Sequence, residues 1–167
     1  FDRRSTSAEF ARVVAHTLIE CGRDVEIAQG FVPTPAVSVA VRERHAAAGV
    51  VITASHNPSE WNGFKVKESF GGSARLEVTQ AIERHIQEGA VARTLTAARG
   101  RLTEVDLITP YEAKLASLVD LRAIGASNLR VIVDPIHGAG SGLLVRMLHA
   151  SGLRVLEVRG EQSPNFG

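Results

Sequence analysis

The stretch from Gly49 to Lys67, G-V-V-I-T-A-S-H-N-P-S-E-W-N-G-F-K-V-K, constrains this chain more than any other part of it. Val50, Val51 and Ile52 form an apolar β-branched run of the kind buried on both faces of a parallel sheet. Asn57-Pro58 then forces the chain out of the strand, so Ser55 falls just past its carboxyl end, where open α/β sheets bind ligands. A second turn at Asn62-Gly63 sends the chain back through Phe64, Lys65, Val66 and Lys67, a path that brings ammonium groups towards the serine. A bare serine is a poor nucleophile and needs a base, a positive environment or a phosphate already attached. His56, Lys65 and Lys67 are the groups at hand, and a phosphate would add about −1.5 to −2 charges. Taken alone, the same Ser-His-Asn-Pro run also reads as an ordinary turn. The G-x-S-x-G elbow of hydrolases is absent, because Ala54 precedes Ser55 and Asn57 lies two residues after it.

The rest of the chain supplies a layered α/β context. Thr6 and Glu9 read as a capping box for a helix with Phe10, Val13, Val14, Thr17, Leu18 and Cys21 at helical spacing, ended by Gly22. A short strand, Asp24 to Ala28, leads through Val32-Pro33-Thr34-Pro35 into a helix from Ala36 to about Ala47. Val37, Ala40, Val41 and Ala48 face inward there, and Gly49 stops it. After the hairpin comes a helix from Arg75 to Glu88, closed by Gly89, then a surface connection from Ala90 to Gly100 and a short strand from Leu102 to Val105. Thr109-Pro110-Tyr111-Glu112 reads as a second capping box, opening a bridging helix through Leu115, Leu118 and Val119. Leu129 to Asp134, Gly142 to Ala150 and Arg154 to Val158 make a β-α-β unit with parallel strands, whose helix turns Leu143, Leu144, Met147 and Leu148 inward. The fold class is therefore a layered α/β/α domain with a mixed sheet over residues 1–106, a linker helix over 107–128, and a partial second α/β domain over 129–167. Such a half-built second domain leaves apolar surface open to self-association.

Charge narrows the partners. Nineteen Lys and Arg against 18 Asp and Glu give no broad basic footprint for nucleic acid, so any anion site is local. No apolar run approaches the ~20 residues of a membrane span. Cys21 is the single cysteine, which fits a reducing, cytoplasmic compartment.

Thr53-Ala54-Ser55-His56-Asn57-Pro58 followed by Asn62-Gly63-Phe64-Lys65 resembles the active-site serine loop of the α-D-phosphohexomutases, the phosphoglucomutase/phosphomannomutase family. The likeness extends to Asp2-Arg3-Arg4, to Val32-Pro33-Thr34-Pro35 and to Asp134-Pro135-Ile136-His137-Gly138-Ala139-Gly140, which resembles the opening of that family's second domain. Phe64 before Lys65 is nearer to phosphoglucomutases and phosphomannomutases than to phosphoglucosamine mutases, and Ser59 departs from a common second proline. The resemblance implies a domain 1 lacking its first strand, with a phosphoserine at Ser55. That serine would move a phosphoryl group between the 1- and 6-positions of a hexose phosphate through a hexose 1,6-bisphosphate, which also serves as activator. It implies Lys65 as general acid/base with His56 assisting, and Arg4, Asn57 and Asn62 as loop-positioning or substrate-binding residues. It also implies one Mg²⁺ per complete active site, bound to Ser55 through its phosphate.

The family's other magnesium ligands lie in a D-G-D-x-D-R loop, and neither that loop nor the family's sugar-reading G-E-x-S-G and phosphate-gripping R-x-S-G-T segments occur here. The chain alone is accordingly expected to be inactive, and a truncated paralogue that binds a phosphosugar or a protein is the alternative. Two weaker features remain. Gly138-Ala139-Gly140-Ser141-Gly142 before a helix reads either as a phosphate cradle or as a strand-to-helix turn. His16, His45, His85 and His149 lack partners at metal spacing, and His137 fits a structural turn.

Overall fold

A computed structural model describes residues 1–89, 99–163 and 165–167. Helix α1 (Ser7–Glu20) precedes β1 (Val25–Ala28), α2 (Thr34–Glu43) and the hairpin strands β2 (Ala48–Ile52) and β3 (Phe64–Glu68). Then follow α3 (Leu76–Gln87), β4 (Leu102–Val105), α4 (Ile108–Ala116), the short α5 (Leu121–Gly125), β5 (Arg130–Val133), α6 (Leu143–Ala150) and β6 (Arg154–Glu157). The expected surface connection lies almost wholly outside the described residues.

Ile52 pairs with Phe64 and Ala48 with Glu68 in an antiparallel β2–β3 hairpin, the expected return path, and β3 is the strand that pairs with β2 among the described residues. The parallel pairs are β1 with β4 and β5 with β6. Buried Val51 meets Val37 and Val41 of α2, with Val32 and Ala36 beside them, and Leu107, Ile108 and Tyr111 close the cluster. Gly49 does not stop a helix. It lies within β2, where an added Cβ would stand 2.5 Å from a methyl of Val41. Helix α2 already ends at Glu43, and His45 turns the chain at φ 53°, which puts Ala48 in the strand and exposed.

Neither capping box forms. Thr6 has helical backbone angles and makes no side-chain cap; its hydroxyl accepts a hydrogen bond from Asn62 instead. Helix α1 is correspondingly rotated, burying Ser7 and Ala15 while Phe10 and Val13 face solvent. At α4 the capping oxygen belongs to Asp106, which accepts from the amides of Ile108 (2.7 Å) and Thr109 (3.1 Å). The helix stops at Ala116, leaving Leu118 and Val119 exposed beyond it.

Helix α4 touches both α2 and α6, and the Glu112 carboxylate accepts from Nε of Arg146 on α6 at 2.9 Å. In α6 Leu143 is buried but Leu144 is exposed. On β5 and β6, Ile132 and Leu156 are register partners at 70% and 58% exposure, on the same open face as the paired Arg130 and Arg154. A cleft of about 940 Å³ separates β1 from β2, bounded by Val25, Ile27, Val50, Ile52, Val14 and Leu18. One end is spanned by Phe1 and Asp2: the Val32 amide donates to the Phe1 carbonyl at 3.0 Å, and the Asp2 amide to that of Ile52 at 3.1 Å.

Two outcomes are expected. Gly49→Ala should lose about 1–3 kcal/mol in urea unfolding through overpacking against Val41. Gly30→Ala, with no neighbour within 4 Å, should stay within about 0.5 kcal/mol. Hydrogen bonds from Thr109, its side chain foremost, and then from the Ile108 amide hold the Asp106 carboxyl below its ordinary 3.8. A lowered carboxyl contributes stability above its ordinary range and loses it as pH falls through the folded value. Urea midpoints of wild type and Asp106→Asn should therefore converge as the pH drops below about 3.8.

Candidate active site

The side chain that organises the site is Arg4, at 2% exposure. A guanidinium carries five N–H donors, and here each has an acceptor. Nε donates to Oδ2 of Asp2 at 3.1 Å. Nη1 donates to the carbonyls of Pro58 (2.6 Å) and Trp61 (2.9 Å), and Nη2 to those of Ser55 (3.1 Å) and Asn57 (2.8 Å). A single buried cation thus gathers four carbonyls of the loop between β2 and β3. It is not a solvated arginine at a helix start.

Asp2 ties this clamp to α1. Its Oδ1 accepts from the Arg4 amide at 3.2 Å and from the Ser7 hydroxyl at 2.6 Å. Asn62 donates from Nδ2 to the Ser7 and Thr6 hydroxyls and accepts the Gly63 amide at 2.9 Å. The loop is held at its far side by this amide and at its near side by Thr53, whose hydroxyl accepts the Ser55 amide at 2.9 Å. Asp2 and Thr53 lay within the matched motifs without a role of their own, and Ser7 was not singled out from the sequence. The sequence signals were a hydroxyl in the first turn of a helix and another two residues before Ser55.

Ser55 itself is exposed at φ 60°, a left-handed conformation that costs a non-glycine residue about 1–2 kcal/mol. The clamp and the Thr53 bond fix it there. With no cis peptide present, each N–H points opposite to its C=O. Carbonyls of Ser55, Pro58 and Trp61 turned in on Arg4 therefore turn the amides of His56, Ser59 and Asn62 outward. Such a row of outward N–H dipoles favours an anion at the serine side of the loop.

The other sequence candidates divide. His56 Nδ1 lies 3.4 Å from the Ser55 hydroxyl, longer than a proton-transfer hydrogen bond. Asn57 is exposed and contributes its carbonyl to the clamp and its amide to Ala54. Lys65 and Lys67 share the face of β3 that packs towards α2, but only one is free. Lys67 is buried opposite Gly49, at the end of the hairpin away from Ser55, and donates to the Ser73 hydroxyl at 3.2 Å. Lys65, opposite Val51 and nearer the loop, is exposed and has no hydrogen-bond or ion-pair partner among the described residues.

Elsewhere, the glycine-rich run before α6 is no phosphate cradle. The Gly142 amide at the start of the helix already donates to a Glu157 carboxylate at 2.8 Å, which would repel an anion. His137 is buried, takes its turn at φ 57° and lies against the Glu161 carbonyl at 3.1 Å. Among the described residues, no group of three or more His, Cys, Asp or Glu comes together, and no helix is long and apolar enough to cross a membrane.

Comparison with known proteins places this geometry among relatives. Residues 1–93 match the family model described as phosphoglucomutase/phosphomannomutase, alpha/beta/alpha domain I. A phosphoglucomutase/phosphomannomutase of Thermococcus kodakarensis is 36% identical over 149 residues, covering 89% of this chain and 32% of its own length. A phosphoglucosamine mutase of Frankia alni is 36% identical over 161 residues, 96% of this chain and 34% of that protein. The crystal structure of a putative phosphomannomutase from Thermus thermophilus superposes with a TM-score of 0.87 at 35% identity, over 99% of this chain and 37% of that one. The chain spans about a third of the length of the curated relatives it matches.

Removing the cation tests the clamp. Arg4→Met leaves Asp2 and four carbonyls without their donor, and the loss of one partner of a buried pair is expected to cost about 3–5 kcal/mol in urea unfolding.

Proposed function

Because the chain belongs to the phosphoglucomutase/phosphomannomutase family, we propose that its Ser55 loop is the phosphoryl-carrying part of a phosphohexomutase, an isomerase acting on a hexose phosphate. Phosphorylated Ser55 gives its phosphoryl group to the free 1- or 6-hydroxyl of the sugar phosphate. The Oγ–P bond breaks, a sugar O–P bond forms, the sugar's hydroxyl proton passes to a base, and the departing serine Oγ takes up a proton. The hexose 1,6-bisphosphate so formed turns over, and Ser55 recovers the phosphoryl group from the other position. The observation that carries this reading is the Arg4 clamp, which holds one exposed serine in a strained turn beneath outward amides.

Each role follows from a local environment. The outward amides offset the −1.5 to −2 charges of a phosphoserine in its resting form. Lys65, exposed on the hairpin and without a partner among the described residues, takes up and returns the proton, with His56 beside the hydroxyl as its helper. Arg4 and Asn62 act on the backbone and position the loop, and Asn57 contributes through its carbonyl.

Magnesium requires several oxygen ligands. Asp2, the carboxylate bonded to the clamp, is committed to Arg4 and Ser7, and no acidic cluster adjoins the loop among the described residues. A magnesium ion bound through the phosphate of Ser55 would take its further oxygen ligands from outside the described residues, and no step here is routed through it. The sugar is proposed at the level of its class. Relatives named for glucose or mannose phosphates and for glucosamine phosphates share the same 36% identity with this chain, so overall similarity does not single out one of them.

The test is intact mass with fragment mapping before and after incubation with glucose 1,6-bisphosphate, in a protein of the relatives' full length that carries this chain. One phosphoryl group on Ser55 is expected, absent in Ser55→Ala, with its transfer slowed about 10²–10⁴-fold in Lys65→Ala. A full-length protein that stays unmodified removes the mutase reading. The 167-residue chain alone is expected to turn over negligible hexose phosphate.

A further inference from the structure

The five acceptors around Arg4 use every donor of the guanidinium but cover only the edge of its plane; the faces remain. The guanidinium carbon stands 5.1 Å from the centroid of the Phe166 ring, which lies far along the chain, beyond β6. That distance is within the ~6 Å at which a cation over an aromatic face is attracted to it. Phe166 is itself held in an uncommon conformation, φ 57°, which a bulky residue adopts only when its surroundings impose it. Its amide donates to the Ser163 carbonyl at 3.0 Å and the Gly167 amide to the Ser163 hydroxyl at 3.2 Å, a turn that presents the ring. A second contact ties the same segment to the adjacent arginine: Nη1 of Arg3 donates to the Gly160 carbonyl at 2.8 Å, with the Arg3 guanidinium 5.8 Å from the centroid of the Phe31 ring.

We propose that Phe166 is a positioning residue for the Ser55 loop, acting through Arg4. By covering a guanidinium face the ring keeps water from competing for the N–H groups that hold the Ser55, Asn57, Pro58 and Trp61 carbonyls. The segment following β6 and the loop following β2 are thereby coupled through one side chain. In the function proposed above, on which this role in phosphoryl transfer rests, the packing of that segment on Arg4 holds the serine in its strained turn.

The coupling is read directly from amide hydrogen exchange at Asn57 and Trp61, whose N–H groups bond to the Ala54 and Pro58 carbonyls inside the loop. Phe166→Leu keeps an apolar side chain but removes the aromatic face. It is expected to speed exchange at these two amides about 3- to 30-fold while leaving Val131 and Val155 of β5 and β6 unchanged. Phe166→Tyr, which restores the face, is expected to return exchange to wild-type rates. Wild-type exchange in the Leu variant, failure of Tyr to rescue, or equal acceleration throughout β5 and β6 would each overturn the proposal. Phosphoryl uptake at Ser55 from glucose 1,6-bisphosphate is followed in the same full-length variants. Loop exchange that responds to Phe166 in a protein taking up no phosphoryl group sustains the positioning role and removes the mutase reading. Uptake with exchange indifferent to Phe166 does the reverse.

Discussion

A guanidinium at 2% exposure cannot be left with unpaired donors, and that requirement shapes the site more than any other. Four of the five acceptors of Arg4 are carbonyls more than fifty residues later in the chain, so burial of one side chain joins two distant segments. Four loop carbonyls must face inward, so the intervening amides must face outward, and Ser55 is left exposed at a positive φ. Asp2 balances the charge and passes the constraint to Ser7 in the first turn of α1. The serine's position is thus set by the backbone beneath it, and the His56 Nδ1 stands 3.4 Å from its hydroxyl.

Much of the architecture was legible in the sequence because it follows from local periodicity. The strand Leu102 to Val105 and the parallel pair β5–β6 were read at their positions to within about a residue. What failed were inferences that tertiary contacts overrule. Thr6 has the sequence of an N-cap, yet Asn62, remote in sequence, claims its hydroxyl. Gly49 looks like a helix stop, but its lack of a side chain serves the approach of α2 to β2. Lys67 and Lys65 are equivalent in alternation, and only the covering segment around Ser73 distinguishes the buried one from the free one. The serine loop itself was legible as a motif, but the five-fold role of Arg4 was not, since nothing local announces which carbonyls a long side chain will reach.

The Ser55 loop sits on an exposed turn at the end of the hairpin, organised from below by Arg4. Helix α4 joins this unit to the β5–β6 pair, whose open face mixes Ile132 and Leu156 with Arg130 and Arg154.

The most direct test of the central claim, that inward carbonyls make the loop an anion-binding surface around Ser55, is the amide proton spectrum of the loop before and after phosphorylation. The account predicts downfield movement of the His56 and Ser59 amides when Ser55 carries a phosphate, with the Asn57 amide, bonded inside the loop to Ala54, left in place. Unmoved His56 and Ser59 amides in a protein phosphorylated at Ser55 would contradict it.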